Sequence, residues 1–148
     1  MATLIDRLKA DIKDAMKARE KEKLSTLRMI HSNLKNKRID GGQELSDDDV
    51  VAVMAKAVKQ RRESAQAFEE GGREELAAKE RREIEWIQAY LPEQLSDEEA
   101  AQMVDEVIEE TGASSRGDMG RVMGAIVPRI KGRYDASKIK DVVLDKLG

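Results

Sequence analysis

Apolar residues recur along most of this chain at the three- and four-residue intervals of a helix, and no stretch alternates for long as a half-buried strand would. The first run predicts a helix from about Leu4 to Arg19, with Leu4, Ile5, Leu8, Ile12, Ala15 and Met16 on one face and Thr3 as its cap. A second helix starts near Lys23, carries Leu24, Leu27, Ile30 and Leu34, and fades at Ile39 before a turn at Gly41 and Gly42. A third opens at Ser46, with Asp47, Asp48 and Asp49 at its positive end. Val50, Val53, Met54, Ala57, Val58, Ala65 and Phe68 form its apolar face, and Gly71–Gly72 ends it. A fourth runs from about Arg73 to Tyr90 with Leu76, Ile84 and Ile87 inward, and Pro92 stops it.

The segment from Tyr90 to Ser96 reads as a linker. Ser96 and Glu99 have capping-box spacing, so a fifth helix begins there, buries Ala100, Met103, Val104, Val107 and Ile108, and closes at Gly112. A sixth follows Ser115 with Met119, Val122, Met123, Ile126 and Val127 apolar, and Pro128 kinks it or ends it near Val127. Asp135 caps a seventh, where Ile139, Val142, Val143 and Leu147 pack. The expectation is an all-α protein: an N-terminal helical bundle in residues 1–92, then a small C-terminal three-helix domain in residues 93–148.

Composition narrows the chemistry more than the fold. The 148 residues are 40% hydrophobic and 39% charged, enough apolar content for a core. There is no cysteine, which excludes disulfides, thiolate metal sites and a cysteine nucleophile and suits a reducing compartment. The N-terminus lacks a secretory pattern, and no apolar run approaches the roughly 20 residues of a membrane span, so the chain reads as cytoplasmic. His31 is the only histidine, which leaves no triad and no paired-histidine metal site. Gly112 to Asp118 mimics the glycine spacing of a phosphate loop but lacks its Lys-Ser/Thr pair. No cofactor, metal or self-contained active site is expected.

Charge is distributed unevenly. Eight acids and no base lie from Glu93 to Glu110; seven bases and two acids lie from Thr111 to Lys140. Such asymmetry marks an anionic partner. The candidate RNA-binding residues are Arg116, Gly120, Arg121, Gly124, Arg129, Lys131, Arg133 and Lys138. The bases supply phosphate contacts. Gly120 and Gly124 share one helical face, which fits either tight helix–helix packing or close approach of an RNA backbone. Tyr134 is the one aromatic among them, so a folded RNA read by shape fits better than a stacked single strand. Lys9, Lys13, Lys17 and Lys21 form a second stripe at four-residue spacing, read as a solvated face.

Three stretches carry a family resemblance: Lys59-Gln60-Arg61-Arg62-Glu63-Ser64-Ala65-Gln66-Ala67-Phe68 with Gly72-Arg73, then Tyr90-Leu91-Pro92-Glu93-Gln94-Leu95-Ser96, then Met119-Gly120-Arg121-Val122-Met123 with Lys131-Gly132-Arg133. In these, and in their order along almost the whole chain, the protein resembles the YqeY-like family. The resemblance implies the two-part helical fold. The same module resembles the tail of the B component of the aspartyl/glutamyl-tRNA amidotransferase, where catalysis lies elsewhere and the tail helps hold tRNA. It therefore implies tRNA as a partner, with Arg121, Lys131 and Arg133 in contact, and a family-level association with glutamine-dependent carbon–nitrogen ligase activity, exercised with amidotransferase or other translation-related proteins. A helical protein–protein adaptor without RNA binding is the alternative.

Overall fold

The computed structural model describes residues 3–42 and 44–148, and among them every regular element is helical. Met1–Leu91 forms one unit, with α1 (Leu4–Lys17), α2 (Lys21–Gly41), α3 (Asp47–Glu70) and α4 (Glu74–Gln88). Pro92–Gly148 forms the other, with α5 (Asp97–Thr111), a 3-10 turn (Arg116–Asp118), α6 (Met119–Ile130) and α7 (Ala136–Leu147).

Side-chain caps set most of the starts. Thr3 with Asp6, Ser46 with Asp49 and Ser96 with Glu99 form reciprocal capping boxes at α1, α3 and α5. The Asp135 carboxylate accepts from the Ser137 N–H at the start of α7. The stops differ in kind. Gly42 and Gly112 close α2 and α5 in the left-handed conformation that glycine adopts without penalty. Between α1 and α2 no glycine is present; Arg19 takes the left-handed position itself, at φ 59°. The first helix therefore stops at Lys17, short of Arg19, and the second begins at Lys21 and runs through Gly41.

In the first unit Leu8, Leu27, Ile30, Leu34, Val50, Met54, Val58 and Ile87 are at most 2% exposed, and Tyr90 closes one end of this core. Tyr90 donates its hydroxyl to Asp11, while the Arg7 guanidinium lies 4.5 Å from the ring centre and donates to the Ala89 carbonyl at 2.9 Å. Two expected core positions lie outside: Met16 and Leu76 are exposed. In α4 the fully buried position is the neighbouring Ala77. A short turn at Gly71–Gly72 joins α3 to α4, and a small side chain suits the closest approach of two helices leaving such a turn.

In the second unit Val104, Val107, Val122, Ile126, Ile130, Ile139 and Val143 are at most 1% exposed. Pro128 does not end α6 at Val127; the helix continues to Ile130, whose burial with Ile126 anchors the last turn. This offsets the missing hydrogen bond that an interior proline imposes.

Among the described residues one charged pair sits inside the first unit. Arg61 and Glu83 are 9% and 8% exposed, with Arg61 Nε 3.9 Å from the Glu83 carboxylate. Arg61 also donates to the Ala57 carbonyl at 3.1 Å, and the buried Thr26 hydroxyl lies 3.2 Å from Glu83 Oε1. Removing one member of a buried pair leaves an uncompensated charge. Glu83→Ala is therefore expected to destabilise the chain by about 3 kcal/mol in urea unfolding, and the double change Arg61→Met with Glu83→Leu by far less. Equal losses would show that packing, not charge, dominates at this position.

Candidate nucleic-acid interface

The eight candidate residues all fall in the second unit, but the structure sorts them into three groups. Arg121 donates to Asp118 at 2.6 Å and to the Thr111 carbonyl at 3.3 Å. Arg129 holds Glu110 at 2.6 Å. Lys138 lies 3.7 Å from Asp97 and 5.7 Å from the centre of the Tyr134 ring, whose hydroxyl donates to the same carboxylate at 2.6 Å. These cations are already matched by acids of their own unit. Two of these pairs, Arg129–Glu110 and Lys138–Asp97, join the acidic block of residues 93–110 to the basic block of residues 111–140.

Arg133 serves a different purpose. Its Nε donates to the Glu93 carbonyl at 3.0 Å, the Leu95 N–H donates to the Arg133 carbonyl at 2.9 Å, and Gln94 Nε2 donates to the Gly132 carbonyl at 2.6 Å. The two motifs Tyr90–Ser96 and Lys131–Arg133 thus latch together. The segment read as a linker is, from Glu93 onward, bonded to the turn that follows α6. Sequence spacing carries no signal for it, because the partners lie about 40 positions apart.

The remaining four candidates make a free surface. Arg116 and Lys131 are exposed, and among the described residues neither meets a carboxylate. Arg116 stands in the turn before α6 and Lys131 directly after it. Between them Gly120 and Gly124 face outward, and a Cβ built on either would meet nothing within 4 Å. Tight packing within the unit is therefore not what these glycines serve. Val127, 39% exposed, continues the stripe at Gly120, Gly124, Val127. Pro128 lacks the N–H that would bond the Gly124 carbonyl, so that acceptor is left without its usual helical donor.

Elsewhere the chemistry is sparse. Among the described residues no group of three or more metal-ligating side chains comes together. An open groove of about 860 Å³ between α3 and α4 is lined by Arg62, Gln66, Glu69, Arg81 and Glu85 over Ala65 and Ile84. Arg81 and Glu69 close on each other there at 2.6 Å. Of the motif around Lys59–Phe68, Arg61 is the buried partner of Glu83, while Arg62 and Gln66 line this groove. His31 is half-buried on α2, away from any such cluster.

The pairing leaves a titration signature. The Tyr134 hydroxyl lowers the Asp97 pKa, the Ser114 N–H and then Arg121 lower that of Asp118, and Arg129 lowers that of Glu110. Burial and the Asp97 hydrogen bond push Tyr134 up to about 12. All three carboxylates titrate below their ordinary values of 3.8 and 4.5, so what they contribute is complete above those values and lost as pH falls through the lowered ones. The urea midpoint of Asp97→Asn/Glu110→Gln/Asp118→Asn should lie slightly below wild type by a constant gap from about pH 7 to 5, and the gap should narrow progressively as pH falls below about 4. A gap that stays undiminished from about pH 5 down to about pH 2 would mean the substitutions act through packing.

Comparison with known proteins fixes the family. The model of the Yqey-like protein family matches residues 5–147. The chain is 37% identical over 130 residues to a Clavispora lusitaniae protein named altered inheritance of mitochondria protein 41, mitochondrial, covering 86% of this chain and 74% of that one. The protein of the same name from Pyrenophora tritici-repentis is 29% identical over 147 residues, covering 95% and 81%. That from Eremothecium gossypii is 40% identical over 85 residues, 57% of this chain and 46% of the relative. These names overturn the cytoplasmic expectation. That expectation rested on a missing secretory pattern and on cysteine usage, and neither distinguishes the cytosol from a mitochondrion, whose targeting segments have a different composition. Matched along nearly its whole length, the chain belongs to the YqeY-like family.

Proposed function

We propose that this protein is a tRNA-associated binding module, organised as an N-terminal helical bundle and a C-terminal three-helix domain, that holds folded RNA against α6. One observation carries the reading: the bare backbone face at Gly120 and Gly124, bracketed by the unpaired cations Arg116 and Lys131. Gly124 costs the interior of α6 about 1 kcal/mol against alanine, and nothing within the unit repays it. A face without side chains lets a sugar–phosphate backbone come close, and cations at its two ends supply phosphate contacts. In an amidotransferase setting this module would present RNA, with carbon–nitrogen chemistry supplied by other proteins of the complex.

The adaptor reading is favoured by the matched pairs Arg121–Asp118, Arg129–Glu110 and Lys138–Asp97, in a unit whose twelve acids outnumber its eight bases. Exposed pairs of this kind are individually weak, so a phosphate can displace the carboxylate.

Fluorescence anisotropy with tRNA across a salt series tests the proposal. Gly124→Ala should raise thermal stability, since the added methyl meets only open space, yet weaken tRNA binding several-fold. Arg116→Glu/Lys131→Glu should weaken binding and reduce the slope of log affinity against log salt by about 1.5. Wild-type protein that does not bind tRNA even at low salt, or variants that bind as wild type does, would turn the assignment toward the adaptor.

A further inference from the structure

The largest unneutralised positive charge on the chain lies outside the interface just described. From Thr3 to Arg38 eleven lysines and arginines stand against five acids, while the whole chain carries a net charge of -3. Four of those acids are occupied. Asp6 caps α1, Asp11 accepts from Tyr90, Glu20 pairs with Lys23, and Glu22 pairs with Arg82. Glu44, beyond this stretch, takes Arg38 at 3.2 Å, and bases still outnumber acids by six from Thr3 to Arg38.

On α2 the excess is ordered. Lys21, Ser25, Arg28, Ser32 and Lys35 follow at alternating steps of four and three, which places them on one face. All five are exposed, and among the described residues none has a hydrogen-bond or ion-pair partner. The cations recur every seventh residue, about 10.5 Å apart along the axis, over roughly 21 Å. No acid interrupts the face. The α1 lysines Lys9, Lys13 and Lys17 are exposed in the same unit, and repeated like charges four apart disfavour their own helix. Ser25 and Ser32 are poorer helix formers than the alanine an exposed position would accept, and neither bonds back to the helix.

We infer that this face of α2 is a second contact surface for the sugar–phosphate backbone of a structured RNA. Lysine, arginine and serine are among the side chains that bond phosphate and sugar oxygens, and these five positions hold nothing else. None of the five positions carries an aromatic or large aliphatic side chain, and Met29, 46% exposed, only borders the face, which disfavours stacked bases and an inserted lipid-facing helix alike; α2's Leu27, Ile30 and Leu34 are committed to the core. The inference rests on the reading that the protein's ligand is tRNA, and it adds contacts on the first unit to those proposed on α6.

The test uses the full chain and tRNA over a salt series. Lys21→Glu/Arg28→Glu/Lys35→Glu should weaken binding at least about tenfold and lower the log–log salt slope by about 2 to 3, with helicity and thermal midpoint unchanged. If charge reversal disturbs α2, the glutamine triple variant should still lower the slope by that amount. A triple variant with wild-type affinity and slope, measured beside an Arg116→Glu/Lys131→Glu variant that loses binding, overturns the α2 surface and leaves the α6 interface standing. The converse pattern keeps α2 and removes α6. Wild-type protein without tRNA affinity overturns both. Binding to phosphatidylserine vesicles that is lost in the triple variant, with tRNA binding unaffected, overturns the RNA assignment in favour of a bilayer.

Discussion

Pairing between α5 and the two helices after it decides what the second unit can present to a partner. Glu110 at the end of α5 takes Arg129 of α6, Asp97 at its start takes Lys138 of α7, and Asp105 takes Lys146 at 2.8 Å. Ser96 and Glu99 spend their side chains on the helix cap. An acidic helix and a basic helix pair are thereby a complementary set, and individually weak surface pairs fix which cations stay free. Arg116 and Lys131 escape because they stand in the turns at either end of α6, where no acid is placed to meet them.

Helix α6 breaks local preference repeatedly: Gly120, Gly124 and Pro128 all lie within its twelve residues. It forms because Val122, Ile126 and Ile130 bury almost completely against α5 and α7. The buried face supplies the stability that the exposed face forfeits. A local rule broken without a structural return is where function is expected to reside, and here the broken positions are the outward ones. Their exposure also separates the two roles glycine could have had, since helix–helix packing would have put both of them inward.

Local chemistry was legible in the sequence and long-range chemistry was not. The all-helical class, the caps at Thr3, Ser46, Ser96 and Asp135, and the glycine stops depend on residues within four positions of one another. Which side of a helix turns inward depends also on its neighbour, so Leu76 and Met16 were misplaced by part of a turn while Ala77 went unnoticed. Arg133 resembled a phosphate ligand because its partner, the Glu93 carbonyl, is a backbone atom 40 residues away. Arg61 sat in a run of charged residues that gave no hint of burial, and its pairing with Glu83 appears only once α3 and α4 are side by side. For the site, Gly120, Gly124, Arg116 and Lys131 lie in one unit, and their freedom came only from seeing where the acids go.

A net charge of -3 does not count against an anionic ligand for this chain. Screening at physiological salt confines exposed charges to a range of about 8 Å, so a ligand responds to the face it meets and not to the total. What matters is whether acids and bases are interleaved or segregated on that face. On α5 and α6 they are interleaved across the helix pair, and among the described residues the cations left free beside α6 are Arg116 and Lys131. On α2 the acids are drawn away, Glu20 to Lys23 and Glu22 to Arg82, and the face from Lys21 to Lys35 is left with cations and hydroxyls alone. Electrostatic attraction to such a face is not sequence-specific, so under the proposed RNA reading α2 would supply affinity, and any discrimination would fall to shape at the bare backbone of α6.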